Sequence, residues 1–216
     1  ADIEHPPETL KLIIAKAERE NFHLVSLMVM LNCTFFWEKF LIPAFVFFFQ
    51  KLYPFQWIND PMRSTAGAAG GYMLIRRRAL EDAGGIKAIS NEIIDDCAIS
   101  RMIKQQGPIW LGLTRKVKSL RRYSTLSDIW NMVVRTAFVQ LKFSTLNLMV
   151  TVFGMIIIYF IPPYTLAWGL FINDFNLGIL AFVCWTIMTI TYLPTQRLYK
   201  RPAWEALLLP FGAVLY

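Results

Sequence analysis

From Phe143 to Ile172 the chain runs roughly 30 positions without a charged residue. A membrane-spanning helix needs about 20 apolar residues, so this run is long enough to cross a bilayer. A second uncharged run extends from Phe175 to Gln196, and a third begins at Ala206 and reaches Tyr216. The whole chain is 56% hydrophobic and only 17% charged, against about 25% charged residues in soluble domains. Its charges are gathered ahead of Phe143. The expectation is a polar part over 1–142 and a membrane region over 143–216, with two spans and the start of a third.

The net charge is +7, and its placement argues for a membrane surface rather than a nucleic acid. Arg115, Lys116, Lys118, Arg121, Arg122, Arg135 and Lys142 precede the first run, and Arg197, Lys200 and Arg201 follow the second. The only charge between the two runs is Asp174. Positive residues mark the cytoplasmic side of a span, so the polar part is expected in the cytoplasm and Asp174 outside. The basic stretch 115–122 also suits anionic lipid headgroups. The basic residues flank spans and are not interleaved with aromatics, so no nucleic-acid partner is expected. Three cysteines, Cys33, Cys97 and Cys184, form no metal spacing and read as free thiols. His5 and His23 are too few for a zinc site.

Within the polar part, hydrophobic periodicity alternates between types. Residues 8–20 have helical spacing, with Pro6 and Pro7 as a start signal. "LVSLMVML", 24–31, reads as a buried strand. The apolar core of "FFWEKFLIPAFVFFFQKLYPF" is only about ten residues and contains Pro43, too short to span. Two readings of 36–53 stand: an interfacial helix lying on the bilayer, or a core helix of the polar part. "GYMLIRR" reads as a short strand and "RALEDAGG" as a helix closed by glycines. "PIWLGL" and "KVKSL" read as two edge strands, and "SDIWNMVVRTAFVQLKF" as an amphipathic helix entering the membrane. Pro162 and Pro163 are expected to kink or end the first long apolar segment. Alternating strands and helices ahead of the spans give the fold class, α/β plus membrane helices.

The stretch "SNEIIDDCAISRMIKQQG", 90–107, places Asp95 and Asp96 where an apolar run meets an amphipathic helix. Ile93, Ile94, Ala98, Ile99, Met102 and Ile103 recur at helical spacing, which puts Asp96 in a first turn, where the helix dipole favours negative charge. One reading is capping, with Asn91 or Asp95 as N-cap. The other is catalytic, because a carboxylate held ionised at a helix start is also a proton acceptor. Three further features accompany the pair: Asp2 with Glu4 and His5; "AAGGYMLIRRRALEDAGG" at 68–85; and Arg135 in "WNMVVRTAF" just ahead of the spans.

In this order, the four features resemble the C-terminal part of a membrane-bound, inverting family 2 glycosyltransferase of the GT-A (Rossmann-like) fold. The nearest likeness is to the bacterial group associated with hopanoid biosynthesis, itself similar to ceramide glucosyltransferases. The resemblance implies a nucleotide-diphosphate sugar as donor, a membrane lipid or other amphiphile as acceptor, and a multi-pass protein of the bacterial inner membrane with its catalytic part cytoplasmic. It implies Asp96 as the catalytic base, with Asp95 positioning the acceptor or its neighbours. Asp2 matches the second aspartate of a metal-binding Asp-x-Asp, whose oxygen ligands suit Mg²⁺ or Mn²⁺. Gly70 and Gly71 match a donor- or acceptor-binding turn where a side chain would obstruct approach. The three arginines Arg76, Arg77 and Arg78 read chiefly as a solvated face. Arg135 matches the arginine of a Gln-x-x-Arg-Trp motif that meets the leaving diphosphate, with Met132 and Thr136 in place of the glutamine and tryptophan. The missing tryptophan speaks against polymer synthesis and for a single sugar placed on a lipid. Because the nucleotide-binding half of such a domain precedes the Asp-x-Asp, the 216-residue chain is expected to be inactive alone.

Two other classes compete. One is a non-enzymatic membrane protein for transport, against which the spans carry no ionisable residue of the kind transport paths use. The other is a basic module that binds anionic lipid, whose affinity would fade steeply with salt.

Overall fold

The computed structural model describes residues 2–90, 92, 94–141 and 143–215. The chain divides into two compact units, Ala1–Asn32 with Phe48–Arg122, and Cys33–Phe47 with Tyr123–Tyr216.

Among the described residues, the first unit is built on a four-stranded sheet in the order β1-β4-β2-β3. Its strands are β1 (Ile3–Glu4), β2 (Leu24–Met30), β3 (Met73–Ile75) and β4 (Ile109–Ser119). β2 and β4 run parallel, while β1 and β3 add antiparallel on the outside. β2 is apolar along nearly all its length because both faces are covered, as a central strand of a layered sheet requires. On one face lies α1 (Pro7–Arg19). Its Ile13 and Ala17 pack with Val25, Leu27, Val29 and Val117. At the rim, the Lys16 ammonium sits 4.5 Å from the centre of the Trp110 ring. Helices α3 (Phe55–Asn59) and α5 (Asp95–Lys104) pack on β4. Leu24, Ile58, Ile103, Ile109 and Leu111 are all fully buried, each contributing about 1.5–3 kcal/mol of transfer free energy.

The two expected edge strands "PIWLGL" and "KVKSL" are one continuous strand, and it is central. Thr114, Arg115 and Lys116 resemble a break because β4 outruns the parallel pairing there: the register with β2 shifts between Met28 and Met30. Beyond that shift the outward positions carry charge, whereas Val117 turns back into the core. α4 (Arg77–Asp82) closes on Gly84 and Gly85, at φ 94° and 71°, the left-handed region that glycine enters without steric cost. Arg77 and Arg78 are solvated as expected, paired along the helix with Glu81 and Asp82.

In the second unit, α6 (Leu126–Gln140) is followed by α7 (Thr145–Met155), a π-helical turn at Ile156–Phe160, and α8 (Ile161–Phe171). The prolines neither end nor break this segment. It continues for 27 residues, with mean hydropathy 2.0 over its most apolar 18-residue stretch, and the wider turn lies just before Pro162 and Pro163, which lack the N–H a regular turn would use. After a reversal at Asn173, capped by Asp174 accepting from the Leu177 N–H at 3.1 Å, comes α9 (Phe175–Leu198), 24 residues with mean hydropathy 1.8 over its most apolar 18-residue stretch. Both segments are long and apolar enough to cross a membrane by length and composition. They meet at glycines: a Cβ on Gly169 would lie 2.9 Å from the Gly178 nitrogen. The third apolar run forms a 3₁₀ turn, Ala203–Leu208, and the short α10 (Leu209–Val214).

Helix α2 (Phe36–Leu52) starts in the second unit and ends in the first. Leu41, Ile42, Ala44, Val46 and Phe47 are buried. Phe47 meets Tyr192 of α9 edge-on, with ring centroids 5.2 Å apart.

Candidate active site

The site grows from the start of α5. Asp95 and Asp96 are its first two residues, and no side chain caps it from Ile94. The two acids take up first-turn donors instead: Asp95 Oδ1 accepts from the Asp96 N–H at 2.9 Å, and Asp96 Oδ1 from the Cys97 N–H at 2.7 Å. Asp95 is exposed and Asp96 half-buried. Asn91, the other candidate cap, and Ile93 lie outside the described residues, as does the side chain of Thr136.

Asp96 Oδ2 accepts a second backbone hydrogen bond, from the Gly70 N–H at 2.7 Å. This joins the acidic pair to the glycine turn 26 residues earlier in the chain. A Cβ on Gly70 would lie 3.2 Å from Asp96 Oδ2, and one on Gly71 only 2.8 Å from Val29 Cγ2. Neither glycine has positive φ among the described residues. Close approach, not backbone freedom, accounts for both: Gly70 admits the carboxylate and Gly71 packs on the end of β2.

The turn is held from below by Ser26 of β2. Its Oγ donates to the Ala69 carbonyl at 3.1 Å and accepts from the Ala69 N–H at 2.9 Å, fully buried. Sequence periodicity gave no hint of this, because Ser26 sits inside an apolar strand as a single polar interruption. Asn59 likewise exchanges two hydrogen bonds with Leu111 of β4, at 3.0 and 2.7 Å. Lys104, on the last turn of α5, donates to the carbonyls of Ile58 and Asp60 at 2.7 and 2.8 Å. Both ends of α5 are thus tied to backbone it does not neighbour in sequence.

Burial pushes the Asp96 carboxyl above its ordinary value of 3.8. The Cys97 and Gly70 N–H bonds pull the other way, and the Asp95 charge adds to the rise. The group therefore holds a proton more readily than an exposed aspartate. Cys97 is a buried thiol pushed up to about 11 by burial and by Asp96, which leaves it without the thiolate that nucleophilic chemistry needs.

The other expected site residues lie elsewhere. Asp2 is exposed beside β1, and its carbonyl accepts from the Leu120 N–H at 2.6 Å. His5 meets Tyr72, the residue after Gly71, edge-on at 5.2 Å. Among the described residues, no three His, Cys, Asp or Glu side chains gather as a metal-holding group. Arg135 is exposed on α6, in the second unit. The structure therefore brings together Asp95, Asp96 and Gly70, with Gly71 alongside.

A family model for glycosyl transferase family 21 matches residues 1–212. The chain belongs to glycosyl transferase family 21. It is an enzyme of the glycosyltransferase type, whose partners are a sugar donor and a sugar acceptor. The family number differs from the family 2 of the sequence resemblance, while the class of chemistry is the same. No curated protein and no solved structure matches the chain. Every candidate residue, from Asp2 to Arg135, falls inside the stretch that the family 21 model covers.

Proposed function

We propose that this family 21 chain transfers a sugar, with inversion, from a nucleotide-diphosphate sugar to a lipid or other amphiphilic acceptor, and that Asp96 is the base. The carrying observation is the Asp96 carboxylate itself. It is half-buried, fixed by the Gly70 and Cys97 N–H groups, and raised in proton affinity.

Inversion asks one group to take the acceptor hydroxyl's proton while its oxygen attacks the anomeric carbon. The new carbon–oxygen bond forms as the bond to the diphosphate breaks on the opposite face, and the leaving diphosphate carries off the electron pair. Asp96 receives the proton. Its two backbone hydrogen bonds orient the carboxylate, and its raised proton affinity makes it a better base than an exposed aspartate. The exposed Asp95 beside it is suited to holding the acceptor. Arg135, a fixed cation ahead of the first long apolar segment, is the proposed contact for the departing diphosphate. A divalent cation, Mg²⁺ or Mn²⁺, would neutralise that diphosphate. Asp2 brings a single exposed carboxylate, however, and no described cluster completes a site, so no step here is routed through a metal.

The apolar segments support a membrane-embedded enzyme and hence an amphiphilic acceptor, the class the hopanoid-associated resemblance implies. The basic flanks support a cytoplasmic side for the sheet-bearing unit, and the hopanoid-associated resemblance supports a bacterial inner membrane. The test uses membranes carrying the full-length protein, a panel of labelled nucleotide sugars, and lipid extraction. A labelled lipid is expected from the wild type and at least a hundredfold less from Asp96→Asn, the scale of losing a general base. Undiminished product from the variant would reject Asp96 as base.

A further inference from the structure

Ser26 is the one polar residue in β2, and it is fully buried. Both hydrogen bonds of its hydroxyl go to a single residue of the glycine turn. Oγ donates to the Ala69 carbonyl at 3.1 Å and accepts from the Ala69 N–H at 2.9 Å. Those two groups belong to successive peptide units, and each unit reaches the start of α5 by its other edge. In the unit Ala68–Ala69, the N–H goes to Ser26 while the Ala68 carbonyl accepts from the Cys97 thiol at 4.0 Å. In the unit Ala69–Gly70, the carbonyl goes to Ser26 while the Gly70 N–H donates to Asp96 Oδ2 at 2.7 Å. The Tyr72 N–H shares the Ala69 carbonyl at 3.2 Å, and the Leu27 N–H donates to the Tyr72 carbonyl at 3.0 Å.

A peptide unit is planar and rotates as one body. The Ser26 bond to the Ala69 carbonyl therefore fixes the direction of the Gly70 N–H on the opposite edge of the same plane. An O–H donated to that carbonyl also polarises the unit and makes its N–H a stronger donor. We infer that Ser26 is a positioning residue for Asp96: through the Ala69–Gly70 peptide it aims the Gly70 N–H at Oδ2 and holds the carboxylate in place for the acceptor hydroxyl. The inference rests on the reading of Asp96 as base, which it deepens. Fully buried, Ser26 acts on the reaction through this peptide alone. Without its hydroxyl the peptide turns more freely, the bond to ionised Asp96 weakens, and the carboxyl holds its proton more tightly.

The first arm of the test compares Ser26→Ala with wild type in the full-length, membrane-bound protein. Transfer at neutral pH should drop about tenfold, the scale of a small misplacement of a reacting group. The acid limb of the rate profile should also move up by about half a pH unit, part of one hydrogen bond to a charged group. Ser26→Thr keeps the hydroxyl and should bring the limb back. A loss of rate that is equal at every pH would mean support of the fold alone and overturn the inference.

The second arm needs no turnover. In detergent, Ser26→Ala should lower the unfolding midpoint more at about pH 7, where Asp96 is ionised, than at about pH 3, where it is protonated. That excess should vanish in an Asp96→Asn background. Titration of Asp95, Glu92 or His5, which stands against Tyr72, would persist there. Cys97 stays neutral in this range. The elements packed on α5 carry Lys87, in the turn Ile86–Ile89, and Arg115, Lys116 and Lys118, in β4, all of which stay charged throughout. An excess that survives in Asp96→Asn, or no excess at all, overturns the inference. Should Asp96→Asn retain transfer, the base reading falls, and this second arm alone decides whether Ser26 orients the carboxylate. If Ser26→Ala does not fold, Ser26→Cys, a weaker hydrogen-bonding group, takes its place in both arms.

Discussion

At the scale of single residues, Asp96 is held in a state that suits the proposed proton transfer and taxes stability. Its folded proton affinity lies above that of an exposed aspartate, with burial the leading cause. As the proposed base it must be ionised, so transfer should decline as pH falls through a value above the ordinary 3.8. A rate profile for the wild type checks this, and an acid limb at or below the ordinary aspartate range would contradict it. The stability effect has the opposite sense. Between the ordinary and the raised value the folded chain binds more protons than the unfolded one, so this group's contribution falls as pH rises through that window. Asp96→Asn removes the charge that burial penalises and keeps an oxygen for an N–H bond. Its denaturation midpoint at neutral pH is expected to equal or exceed wild type while transfer is lost. A pure capping residue would lose stability and keep activity. Gly70→Ala tests the same contact from the other side. The added Cβ, 3.2 Å from Asp96 Oδ2, must displace the carboxylate by a few tenths of an ångström, and transfer is expected to drop about tenfold with little change in midpoint.

At the scale of elements, the start of α2 depends on a charge the sequence reading passed over. Glu38 is fully buried. Its Oε2 accepts from the Thr34 N–H, the Thr34 hydroxyl and the Phe35 N–H at 2.8–3.0 Å, and its Oε1 from the Tyr123 N–H at 2.7 Å. Burial pushes this carboxyl up, but the four donors outweigh it and the net shift is downward. Its contribution to stability is therefore complete above the ordinary 4.5 and is lost as pH falls through the lower folded value, the reverse of Asp96. Glu38→Ala strands buried donors and should cost about 3 kcal/mol, read as a lowered unfolding midpoint. An unchanged midpoint would show that the four bonds hold nothing. β4 carries the lesson about legibility at this scale. Its alternation was visible as two pieces, yet its central place was not. Which strand lies between two others is fixed by pairing partners distant in sequence, β2 on one side and β1 on the other.

For the whole molecule, the apolar surface decides the setting. Along Thr145–Phe171 hydrophobic side chains such as Leu146, Phe153, Ile158 and Phe171 stand exposed, an arrangement that suits lipid and not water. If these segments span, the protein should stay in the membrane pellet through high salt and alkaline carbonate and leave only with detergent. Release by salt alone would instead mark a charge-held peripheral protein.

The sequence by itself determined the alternation of polar and membrane-compatible parts and the identity of most helices, which rest on local period and uncharged length that neighbouring residues write directly. The class of chemistry, and the acidic pair as its candidate centre, came with the family resemblance that the short motifs carry. Only the tertiary structure decided that Gly70 hydrogen-bonds Asp96 while Gly71 packs on Val29, and that Ser26 anchors the glycine turn. Each of these depends on a contact between segments far apart in the chain, where burial and the pairing of polar groups, not local propensity, set the free energy.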